Sequence, residues 1–205
     1  MTSQSTRDHL IDVGQELMHQ QGYNATGLSD ILKAADIPKG SFYHHFGSKE
    51  EFAAAALERY AAQKAEHSAA VLHNPTAGPL KRLKRYFLDL VKIAGQQGPI
   101  PGCLLGRFSL EIGAESPELR KRISASFERW QHAIAAVLEQ AVARKELPAD
   151  TNAEALAGFV LNSWEGALLR SQADQSDAPL ESFMHFVFDE LLARQSNFGT
   201  GKRRG

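Results

Sequence analysis

At 205 residues, 43% hydrophobic and 23% charged, the chain is long enough to bury a core without covalent staples, and its single cysteine excludes an internal disulfide. A formal net charge of −1 excludes a polycationic character overall, so affinity for nucleic acid has to come from a local patch. No run approaches the roughly 20 apolar residues of a membrane helix. The opening MTSQSTRDHLIDVG holds no apolar stretch of signal-peptide length, and one cysteine suits a reducing compartment, so a soluble cytoplasmic protein is expected.

Helical periodicity recurs along the chain and strand patterning is almost absent. Leu10, Val13, Gly14, Leu17 and Met18 share one face of the first segment. Leu28, Ile31, Leu32 and Ala35 mark a short second helix, and a third spans residues 39–45. Between them lies Asp36-Ile37-Pro38, where the proline cannot continue a helix but suits the start of one. Ser48 and Glu51 have capping-box spacing, which predicts a helix over residues 49–72, ended by the proline- and glycine-rich residues 74–79. Leu80, Leu83, Phe87, Leu90, Val91 and Ala94 line the next helix, closed by Gly95 and Gly98. Residues 103–112 form a short helix stopped at Gly113. Ser116-Pro117-Glu118 then starts a long one carrying Ile123, Phe127, Trp130, Ile134, Val137, Leu138 and Ala141. After the break at residues 147–152 come two further stripes. The first contains Leu156, Phe159, Val160, Trp164 and Leu168, and the second Leu180, Phe183, Met184, Val187, Phe188, Leu191 and Leu192. The expected fold is all-α with about nine helices. Residues 1–48 form a small three-helix unit, 49–195 a larger helical body and 196–205 a disordered basic tail.

Two short helices joined by a tight turn can set the second in a DNA major groove. Gly40 permits close backbone approach to a phosphate, Ser41, Tyr43 and His44 offer donors, and Lys39 and Lys49 bracket a stretch with no acidic residue. Residues 26–50, TGLSDILKAADIPKGSFYHHFGSKE, resemble the helix-turn-helix of the tetracycline-repressor (TetR) family through T-x-L-x-x-I, I-P-K-G-S-F-Y-x-H-F and S-K-E. One departure is Pro38, where many relatives carry serine. The resemblance implies a regulator that binds double-stranded operator DNA, with a helical ligand-sensing and dimerisation domain behind the DNA-binding one. It assigns backbone contacts to Thr26, Gly40, Tyr43, His44 and Lys49, and base-edge contacts to Lys39 and Ser41, with Ser29 and Phe42 as further candidates. Phe42 and Phe46 also suit the core of the small unit. A homodimer built on the last two long helices would use Trp164, Leu168, Phe183, Val187 and Leu191, with plain intramolecular packing as the alternative.

Cys103 follows Gly102 and begins the short helix, where exposed N–H groups favour a thiolate. Arg107 lies four residues on and can share its face, which is expected to lower the thiol pKa further. Gly98, Pro99, Pro101 and Gly102 shape a loop that could leave the sulfur accessible. P-G-C-L followed by Ser109 and Glu111 resembles the N-ethylmaleimide-responsive branch of the family, which implies that Cys103 is a sensor of electrophiles or oxidants, with Arg107 beside it. With no second cysteine, the product would be an adduct, a sulfenic acid, a bond to a nearby nitrogen or a cross-subunit disulfide. The alternative keeps Cys103 as a small core residue and places a hydrophobic inducer in a pocket lined by Phe87, Phe108, Phe127, Trp130, Phe159 and Trp164. Arg107, Glu111, His132, Asn162 and Glu165 are the polar candidates there. No nucleophile elbow, phosphate-binding glycine loop or zinc spacing occurs, so no enzyme activity, cofactor or metal is expected.

Overall fold

Prolines, glycines and short polar breaks cut the chain into helices at the places the sequence marks. The computed structural model describes residues 3–95 and 102–194. Among them lie α1 (Ser3–Gln21), α2 (Leu28–Ala35), α3 (Lys39–His45), α4 (Lys49–Leu72), α5 (Pro79–Gly95), α6 (Leu104–Glu111), α7 (Pro117–Ala143), α8 (Ala153–Asp174) and α9 (Ala178–Met184), with no strand. The expected tail at residues 196–205, and the loop residues Gly98, Pro99 and Pro101, lie outside the described residues.

Local chemistry explains the ends. Asp36 adopts φ 53° and closes α2, donating its N–H to the Leu32 and Lys33 carbonyls, and Pro38 then leads into α3 in an extended conformation. The Ser48 hydroxyl accepts from Glu51 N–H at 3.0 Å, as the capping-box spacing predicts. The Glu51 carboxylate takes the neighbouring Gly47 N–H at 2.8 Å. Asn152 caps α8 by accepting from Ala155 N–H at 3.0 Å. α9 runs on into a π-helical stretch, His185–Leu191.

Contacts divide the chain into two compact units. Unit 1 takes the chain up to Ala65 together with Gly102–Phe127, and unit 2 takes the remainder, from Glu66 and from Glu128. The sequence suggested a boundary at residue 48. The contact boundaries lie instead within α4 and α7, and α6 is grouped with α1, against which it packs.

In unit 1, α1 packs on α2 and α3. Leu10, Met18, Ile31, Phe42, Phe46 and Phe52 are buried, with ring centroids of Phe42, Phe46 and Phe52 between 5.0 and 5.4 Å apart. Each such side chain contributes about 1.5–3 kcal/mol by leaving water. Gly14 allows the close approach of α1 to α4, because a Cβ there would stand 2.2 Å from the Phe52 ring. Arg59 of α4 ties down Asp8 and Asp12 of α1 at 2.6 and 2.8 Å. In unit 2, Phe87 of α5 centres an aromatic cluster with Trp164, Phe183 and Phe188 at 5.4, 5.1 and 5.7 Å. Buried Arg82 donates from Nη2 to Gln140 Oε1 at 2.5 Å, while its Nε is buried without a hydrogen-bond partner. No helix among the described residues is long and apolar enough to cross a membrane.

Candidate nucleic-acid interface and the cysteine segment

The seven residues of α3 divide cleanly. Phe42 points inward and anchors the helix on Phe46 and Phe52. Lys39, Gly40, Tyr43 and His44 are exposed, Tyr43 to 54%, and Ser41 is half-buried. A Cβ added at Gly40 would meet nothing within 4 Å, so the backbone there is open to approach. Ser29 is exposed on α2. This surface carries a cation, a phenol, an imidazole and hydroxyls, the donor set that suits phosphates and base edges.

Two expected contacts are corrected by burial. Phe42 is fully buried, so it serves the core and not a base edge. Thr26 is fully buried as well, and its hydroxyl donates to the Gly22 carbonyl at 2.6 Å, so it builds the α1–α2 turn. Lys49 is half-buried: its Nζ donates to the Tyr23 carbonyl at 2.6 Å and lies 4.2 Å from the centre of that ring. Burial holds its pKa below the usual lysine range, opposed by the Glu111 carboxylate. Burial raises the Tyr23 phenol, assisted by Glu50 and Glu115.

Cys103 is the N-cap of α6, and its carbonyl accepts from Arg107 N–H at 2.9 Å. Its sulfur lies 3.9 Å from the Tyr60 hydroxyl, which donates to it, and the residue is 8% exposed. The Tyr60 ring stands edge-on to His19 at 5.6 Å, with Lys64 Nζ 5.3 Å from its centre. Gly102, at φ 75°, turns its carbonyl to His19 Nε2 at 3.0 Å, so that nitrogen carries the proton. Burial holds the His19 pKa below its ordinary value, opposed by the bond to Gly102. Arg107 sends its guanidinium to the end of α1, donating to the Gln20 carbonyl at 2.9 Å. Tyr60 and His19 were missed from sequence, because nothing local links them to position 103.

Residues 10–56 match the bacterial regulatory proteins of the tetR family, and residues 79–187 match the tetracyclin repressor-like C-terminal domain. The chain belongs to the TetR family. It is 33% identical over 201 residues to the HTH-type transcriptional repressor DhaR of Mycobacterium sp. (strain GP1), covering 96% of this chain and 98% of that protein. It is 32% identical over 193 residues to the repressor NemR of Escherichia coli (strain K12), covering 91% and 94%. The crystal structure of the reduced form of E. coli NemR matches with a TM-score of 0.85 at 31% identity, over 90% of this chain and 96% of that one. The regulatory protein TetR from Rhodobacter sphaeroides matches with a TM-score of 0.84 at 34% identity, over 89% and 97%. The protein is thus a DNA-binding transcriptional repressor of the TetR family, whose regulators bind operator DNA and act as dimers.

For a TetR-family dimer the apolar stripes need a second reading. Trp164, Leu168, Phe183 and Val187 are buried within unit 2 of the single chain, and Leu191 is half-buried. These side chains fill the chain's own core, which corrects their assignment to a subunit interface. On the same stretch of chain Phe159, Leu169 and Phe186 are 54, 59 and 62% exposed. The expected pocket residues are divided: Phe108, Glu111 and Phe127 lie in unit 1, and Phe87, Trp130 and Asn162 in unit 2. Asn162 is exposed, whereas the Trp130 indole nitrogen is buried without a hydrogen-bond partner.

Proposed function

We propose that this repressor leaves its operator when an electrophile modifies Cys103. The observation that carries the reading is the position of the thiol, at the N-cap of α6 and in the same compact unit as α1, α2 and α3. A substituent on a sulfur already packed against Tyr60 does not fit without displacement. The adjacent Gly102 carbonyl is held by His19 of α1, so repacking the cap pulls on the helix that supports α2 and α3. In the unmodified protein Lys39, Ser41 and Ser29 read base edges, and Gly40, Tyr43, His44 and Lys49 hold the backbone. Two copies engage half-sites about 34–36 Å apart or a multiple of that, so a small shift in each copy ends simultaneous binding. The dimer face proposed here is the exposed one of Phe159, Leu169 and Phe186. The solved structure of the E. coli relative NemR is that of its reduced form.

Burial of the sulfur favours a second reading, in which Cys103 is a core residue and a non-covalent hydrophobic ligand is the inducer. A gel-shift titration on DNA from upstream of the gene separates the two. Wild type and Cys103→Ser are each run with and without N-ethylmaleimide. Release of wild type alone supports the thiol switch. Retention of both supports the non-covalent inducer. Failure of either protein to bind any DNA, including DNA chosen by random-site selection, would overturn the assignment of the interface.

A further inference from the structure

The end of α6 opposite Cys103 meets the turn between α1 and α2. Glu111, the last residue of α6, accepts from Asn24 N–H at 2.8 Å. Its other carboxylate oxygen lies under Gly22, where a Cβ would come within 2.0 Å of it. One helical turn earlier, Arg107 donates to the Gln20 carbonyl at 2.9 Å, and Phe108 stands edge-on to Tyr23 at 5.7 Å. The turn held this way feeds both neighbouring elements. The Gly22 carbonyl takes the Thr26 hydroxyl just ahead of α2, and the Tyr23 carbonyl takes Lys49 at the head of α4. Gly22 stands at φ 90°, so the turn has a conformation that few residues could hold and that the carboxylate fits closely.

We propose that Glu111 is a positioning residue for operator binding: its carboxylate latches the α1–α2 turn to α6 and holds the helix-turn-helix in its DNA-competent arrangement, with Arg107 as its companion. The group works as a hydrogen-bond acceptor for a backbone N–H, so a neutral acceptor of the same shape can replace it. The latch rests on the reading of α2 and α3 as the DNA-binding face. Only its release rests on the thiol switch.

The test uses the full chain with Glu111→Ala and Glu111→Gln, an operator titration, amide exchange at Asn24 and a thermal melt. Glu111→Ala is expected to weaken operator binding about tenfold and to speed exchange at Asn24, while Glu111→Gln restores most of both. Wild-type affinity and wild-type Asn24 exchange in Glu111→Ala would overturn the latch. Exchange accelerated evenly across unit 1 would also overturn it, since that is loss of fold and not of position. A glutamine variant no better than alanine would overturn the acceptor role. If Glu111→Ala does not fold, Arg107→Ala carries the same measurements at the Gln20 carbonyl end. Treatment with N-ethylmaleimide adds a separate arm: wild type is released, and Glu111→Ala, already unlatched, shows little further change. Wild type that is not released sinks the thiol switch, and the latch is then judged on affinity and exchange alone.

Discussion

Gly22→Ala approaches the same turn from the other side, and its cost can be worked out from the geometry. At φ 90° an L-residue gives up about 1–2 kcal/mol of backbone energy. The new Cβ would stand 2.0 Å from a Glu111 oxygen. That oxygen is the far end of a flexible side chain, so the carboxylate swings out and does not hold the clash. What is lost is its bond to Asn24 N–H, about 1 kcal/mol for a pair that water can reach. The sum is about 2–3 kcal/mol, a fall of roughly 4–12 °C in melting midpoint for a chain of this size. In a Glu111→Ala background the methyl has room and the bond is already gone, so only the backbone strain remains. A double-mutant cycle on melting or urea midpoints should therefore return a coupling of about 1 kcal/mol. Costs that add to within about 0.3 kcal/mol would refute the claim that the glycine is there to seat the carboxylate.

Lys39→Ala removes from α3 an exposed cation proposed to read a base edge; it should weaken operator binding by about 1–3 kcal/mol and relax the preference at one base position, with the melt unchanged. Unchanged affinity and unchanged base preference would take Lys39 off the interface. His19 is held below its ordinary pKa of 6.5 by burial. As pH falls through 6.5 the unfolded chain takes up a proton that the folded chain refuses, so stability drops until the folded pKa is reached. His19→Gln keeps an N–H for the Gly102 carbonyl and removes this loss, so its urea midpoint should fall less than that of wild type on acidification. Phe186→Asp places a charge on the exposed face of unit 2 and should give a folded monomer by sedimentation, with operator affinity lost; an intact dimer would put the interface elsewhere.

Helix starts and stops were legible because they are local. Ser48 with Glu51, Pro38 and Pro117 act within a few residues of themselves, and the helices begin where they stand. The amphipathic stripes identified what is buried, but a stripe does not say whether burial is by the same chain or by a partner. Trp164, Phe183 and Val187 were assigned to a partner and pack instead with their own chain, while Phe159 and Phe186 face outward. Thr26 carries a hydroxyl that suits a phosphate as well as it suits a carbonyl, and only the turn at Gly22 decides between them. Glu111 with Asn24, Arg107 with Gln20 and Tyr60 with Cys103 are pairs distant in sequence, made by helix packing, and no spacing rule reaches them.

The burial of Cys103 sets a rate law. A reagent that meets the sulfur only when the site opens is consumed in proportion to its concentration while dilute. Once abundant, it is consumed no faster than the site opens. Labelling of the native chain should therefore saturate with reagent, at a plateau set by fluctuations of the His19–Tyr60 cluster around the sulfur. Under the proposed thiol switch, a repressor with that rate law responds to the duration of exposure more than to its peak. A brief concentrated pulse labels only the molecules that open during it, whereas a long dilute exposure reaches the whole population.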